Sequence, residues 1–84
     1  MEKKYTTSDL YVSSLLRAKG KELDKIQQIG RKCWFIFKGY EACNNLVLEH
    51  WKGNVEVNSK SFIEAIKTLK NLIFEEMDRG NLPN

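Results

Sequence analysis

The sequence predicts a small α+β domain, ordered helix, β-hairpin, helix, short extended piece and helix, with a two- or three-stranded antiparallel sheet packed by the helices. Three observations carry this reading. An amphipathic segment with cap residues at both ends comes first. Behind it, Gly30 separates two extended runs, the second of which, Arg31 to Lys38, is rich in aromatic and branched residues. Two more helical stripes then fill the C-terminal half, closed by Gly53 and Gly80. Eighty-four residues are enough for one such domain, spanning 1–84 with frayed ends at about 1–4 and 80–84.

The first helix is expected over about 7–19. Thr6 stands as N-cap with Asp9 in the reciprocal position of a capping box, and Tyr5 and Leu10 have the spacing of a hydrophobic staple. Leu10, Tyr11, Leu15 and Ala18 share one face, and Gly20 follows the basic last turn as C′. Residues 22–38 read as the hairpin. Its second strand is apolar on both faces, with Cys33, Phe35 and Phe37 pointing one way and Trp34 and Ile36 the other. Such a strand asks for cover on both sides, by helices of its own chain on one and by another helix or a second subunit on the other.

A second helix follows at 41–51, with Cys43, Leu46, Val47 and His50 on one stripe and Trp51 near it. Val55-Glu56-Val57 is a candidate third strand. Asn58 then caps the last helix, with Val57 and Phe62 as staple, and that helix is expected to run to about 78 before Gly80 stops it. Phe62, Ala65, Ile66, Leu69 and Ile73 form its core face, and the helix is expected at the centre of the fold. Ile63 and Phe74 fall on a second flank beside Lys67 and Lys70.

Composition narrows the function classes. Hydrophobic residues make up 42% and charged residues 30%, the balance of a globular chain and not of a disordered one. The net charge of +3 permits nucleic acid without demanding it. Cys33 to Phe37 is the longest purely apolar run, far short of the roughly 20 residues of a membrane span. The charged opening Met1 to Tyr5, with no apolar stretch after it, predicts no signal peptide and a cytoplasmic protein. In that setting Cys33 and Cys43 fit as reduced core thiols.

Chemistry-bearing patterns are sparse. All five glycines fall at element boundaries, and neither GxGxxG nor a P-loop occurs. Cys33, Cys43 and His50 lack zinc-ligand spacing, so no metal or other cofactor is expected. His50 is the one candidate base. It would need Cys33 or Cys43 beside it to make a nucleophilic dyad, and no catalytic residue is assigned. Glu75, Glu76 and Asp78 read as a solvated helix end.

Basic residues interleaved with aromatics are the remaining signal. Arg17, Lys19 and Lys21 close the first helix, Arg31 and Lys32 lead into Trp34, and Lys67 and Lys70 line the last helix between Ile63 and Phe74. These ten residues are the candidates for nucleic-acid or partner binding. Two readings of the Trp34 strand stand side by side: a core strand with solvated lysines around it, or a stacking surface. The element order differs from that of RNA-recognition motifs.

The opening Lys4 to Leu10, the Gly20 stop, the aromatic second strand, Val55-Glu56-Val57-Asn58, and Phe62, Ala65, Ile66 and Leu69-Lys70 together resemble a family of small uncharacterised bacterial proteins, also found in phages and mobile elements and filed as a domain of unknown function. The resemblance spans roughly residues 4–74 and implies no activity, cofactor or catalytic residue. Its mobile-element setting favours nucleic acid or a nucleoprotein complex as partner. The expectation is therefore a non-enzymatic binding module, a homodimer acting near nucleic acid. The alternative is a protein–protein adaptor or inhibitor from a mobile element, working through an apolar patch. Neither a membrane nor a small-molecule ligand is expected.

Overall fold

A computed structural model describes the backbone of residues 3–81 and the side chains of residues 3–77. The elements are β1 (Lys4–Thr7), α1 (Leu10–Ala18), β2 (Leu23–Ile29), β3 (Lys32–Lys38), α2 (Tyr40–Trp51) and α3 (Ser59–Asn81). The strands form one antiparallel sheet in the order β1-β3-β2, so the aromatic strand lies in the middle. This is the α+β architecture that the sequence predicts, with the third strand in a different place.

That strand is β1 at the N-terminus, and Val55 to Val57 is irregular. Thr6 is consequently a strand residue facing Ile36 across the ladder, not a helix cap. Asp9 caps α1 instead, its Oδ1 accepting from the N–H groups of Tyr11 at 2.8 Å and Val12 at 3.0 Å. The helix therefore starts at Leu10, later than expected, and the Tyr5–Leu10 staple gives way to Tyr5 packing on the core from the sheet. The capping-box letters were present, but the alternation and β-propensity of Tyr5-Thr6-Thr7 beside an edge of β3 outweigh them.

The other end of α1 closes as read. Gly20 takes φ 84, its N–H bonds to the Arg17 carbonyl at 3.0 Å, and the Lys21 N–H bonds to that of Leu16 at 2.9 Å, a Schellman closure. The same pattern, from Gly53 to His50 and Asn54 to Glu49, ends α2. In the hairpin, Gly30 and Arg31 form the two-residue turn, with positive φ at the glycine alone. Asn58 caps α3 through its Oδ1 to the Ser61 N–H at 3.1 Å. Gly80 does not stop that helix, which runs on to Asn81. The fraying expected at the extreme ends falls on Met1, Glu2 and 82–84, outside the described residues; Lys4 is already in β1.

All three helices lie on one face of the sheet. The core joins Val12 and Leu16 of α1, Cys43 and Val47 of α2 and Leu69 of α3 to Phe35 and Phe37, which point the same way from β3. The most enclosed helix is α1, not α3. Five consecutive residues, Val12 to Leu16, are buried, which takes in the whole circumference of a helix. Ser13 and Ser14 are fully buried because each hydroxyl is satisfied within its own helix, bonding to the carbonyls of Asp9 and Leu10 at 2.8 Å. Two small side chains that bring their own partners let neighbours close around α1, a role that their polarity hides in the sequence.

Two outcomes follow for urea or thermal unfolding. Asp9→Ala is expected to cost about 1 kcal/mol, as for a lost N-cap, whereas Thr6→Ala stays well below that. Ser14→Ala is expected to be nearly neutral, since the Leu10 carbonyl keeps its helical partner, whereas Ser14→Leu overpacks and costs about 1–3 kcal/mol.

Candidate functional site

With the helices on one side, no helix among the described residues lies over the other face of the sheet. The ladder register decides what stands there. Lys32, Trp34, Ile36 and Lys38 alternate outward along β3, with Lys4 and Thr6 beside them from β1 and Lys25, Gln27 and Ile29 from β2. Four lysines therefore share this face with one aromatic side chain, Trp34, and two aliphatic ones, Ile36 and Ile29. Ile36 is nonetheless 9% exposed, sheltered between Thr6 and Lys25, its cross-strand neighbours. Trp34 is half-buried, with the Lys32 ammonium 5.6 Å from its ring centroid, within cation–π range. The second cover that a two-sided strand asks for is thus supplied partly by long side chains of the sheet itself.

The charges on this face divide into two sets. Lys4 is held by Asp24 at 3.0 Å and Lys38 by Glu22 at 2.7 Å. Asp24 occupies a bulge between Leu23 and Lys25, which sets its carboxylate beside the neighbouring strands' lysines. Its hydrogen bond from Lys4, helped by the nearby Lys38 and Lys25 charges, holds its carboxyl below the usual carboxylate range. Lys25, Lys32 and Arg31 form no ion pair among the described residues.

The ten residues singled out in the sequence do not converge. Lys32 and Trp34 stand on the open face, and Arg31 lies at its hairpin end. Arg17, Lys19 and Lys21 close α1 in the helical layer, where Arg17 borders a shallow hollow with Ser61, Glu64 and Thr68. Ile63, Lys67, Lys70 and Phe74 form a third group, a stripe within about 60° of arc on α3. There Ile63 is 50% and Phe74 62% exposed, so no element among the described residues covers that flank. Sequence reading missed Lys4 and Lys25 as members of the sheet face. The Lys4 to Thr7 alternation was the signal for β1, while the bulge that turns Lys25 outward leaves no mark in the sequence.

The groups considered for catalysis stay apart in character. Cys43 is fully buried, its thiol donating to the Lys38 carbonyl at 3.5 Å, and burial pushes that thiol up in pKa, away from the nucleophilic thiolate. Cys33 is half-buried, and both cysteines are free. His50 is exposed and its ring lies 5.2 Å from that of Trp51. No group of three or more metal-ligating side chains occurs among the described residues.

A family model described as Domain of unknown function (DUF5659) matches residues 2–75. The chain belongs to that family. The match covers every strand, α1, α2 and most of α3, so the open sheet face lies wholly within the family's domain. No curated protein matches, and no solved structure does. No helix among the described residues is long and apolar enough to cross a membrane.

The Asp24 pair gives a pH test. A carboxyl lowered by folding contributes stability that is present above the unfolded value, near 3.9, and is lost as pH falls through the folded one. Carbon-detected NMR titration is expected to find Asp24 below the ordinary range, and Lys4→Met to return it most of the way.

Proposed function

We propose that this domain is a non-enzymatic binding module that engages nucleic acid through the open face of its sheet. The observation that carries this reading is the one-sided packing: Lys25 and Lys32 flank Trp34 on a face that no helix covers, with Arg31 at its end. Cations able to meet phosphates around a central aromatic and amide are the ingredients of sequence-tolerant nucleic-acid binding.

A second reading has its own observation. The α3 flank exposes Ile63 and Phe74 on either side of Lys67 and Lys70, the mixed surface of a protein–protein adaptor. A twofold pairing of this stripe about its midpoint would gather four lysines at the centre. The flank therefore suits a different partner better than a second copy, and the homodimer expected from the sequence would need another surface.

Fluorescence anisotropy with labelled oligonucleotides separates these readings. Micromolar binding is expected, with a log–log salt slope of about −2 to −3 for about three phosphate contacts. Lys25→Ala and Lys32→Ala should each flatten the slope by about one, while the pair Lys67→Ala and Lys70→Ala leaves it unchanged. Absence of salt-sensitive binding to DNA and RNA alike would remove the nucleic-acid reading.

A further inference from the structure

Building on the nucleic-acid reading, we infer that the open sheet face takes single-stranded in preference to duplex nucleic acid, with one unpaired base stacking on Trp34 and presenting its edge to Gln27. The two residues are direct cross-strand partners. Residues so placed have Cβ atoms about 4.5–5.5 Å apart on the same face. A flat indole and a carboxamide, with two N–H donors and one carbonyl acceptor, therefore stand side by side at the middle of the sheet.

This combination is useful only to a base whose ring face and hydrogen-bonding edge are both free. In a duplex the ring faces are covered by the neighbouring pairs and the Watson–Crick edge by the opposite strand. A duplex base could reach Trp34 only by being unstacked and extruded. A single strand offers both groups at no such cost. The platform is also a surface and not a slot: Trp34 is half-buried on the same face as the buried Ile36, so a base can approach from solvent.

Charge points the same way. β3 is seven residues long, about 23 Å at strand rise. Duplex of that length carries about fourteen phosphates. The face sets against them Lys25, Lys32 and Arg31, because Lys4 and Lys38 are already engaged by Asp24 and Glu22. Three cations match the few phosphates of a short single strand far better. The Lys32 ammonium lies over the Trp34 ring, 5.6 Å from its centroid, so a base that stacks there displaces it toward the phosphate of the same nucleotide.

The test uses the full chain carrying Trp51→Phe, which leaves Trp34 as the remaining tryptophan of the two. Oligo(dT), oligo(rU) and a DNA duplex of equal length are titrated at low salt, following anisotropy of the labelled strand and Trp34 emission together. The expected result is binding of at least one single strand with quenching of Trp34, and duplex binding at least about ten-fold weaker. The two single-strand arms show which sugar the face accepts. Trp34→Leu and Gln27→Ala, each checked for native circular dichroism, should each weaken single-strand binding, the first by about ten-fold or more, as for a lost stack. Duplex binding equal to or tighter than single-strand binding, or tight single-strand binding without quenching, overturns this inference and leaves the nucleic-acid reading intact. No binding to any of the three overturns both.

Discussion

The enclosure of α1 is the constraint on which the rest of the structure depends. Val12 to Leu16 are buried without interruption, so this helix needs neighbours on every side. Phe35 and Phe37 of the sheet supply one, α2 another and α3 the largest share. A chain of this size buries only about 60% of its unfolded surface, and its three helices all pack on the same side of the sheet. No element is left for the far side of β3. The exposed sheet face is thus a consequence of how the core is built on the other side of the strand.

What occupies that face follows from alternation. A central strand must turn every second residue away from the core, and β3 turns out Trp34 and Ile36 between two lysines. The sheet shelters Ile36 with its own long side chains and pins two of its lysines to acids. Exposed pairs such as Lys4–Asp24 add little stability, but they decide which cations remain free for a partner. The α3 flank presents the converse surface: its apolar groups are open, its lysines lie between them, and it belongs to the layer opposite the sheet face.

The legibility of the fold varied with the range of the forces involved. Gly20, Gly53 and Asn58 act within one turn of themselves, and each does in the structure what its local chemistry implies. The Gly30 hairpin is equally local. Thr6 and Asp9 show the limit of such reasoning, because two local patterns competed over the same letters and the strand's long-range pairing with β3 chose between them. Val55 to Val57 had the composition of a strand, but the place beside β3 opposite β2 is taken by β1. Ser13 and Ser14 read as polar and are among the most buried residues, since a hydroxyl bonded to its own helix carries no cost of burial that composition could reveal.

The candidate site was legible in the same partial way. Sequence alone determined the α+β class, the hairpin, the two-sided strand and the presence of Trp34 beside Lys32, because periodicity and turn chemistry are written residue by residue. Only the tertiary structure decided that no described helix covers the second side of that strand, that Lys4 and Lys25 join it, and that Arg17, Lys67 and Lys70 belong elsewhere. Those outcomes depend on ladder register, on a bulge at Asp24 and on which face the helices choose. All three are set by contacts between residues far apart in the chain, which no local pattern encodes.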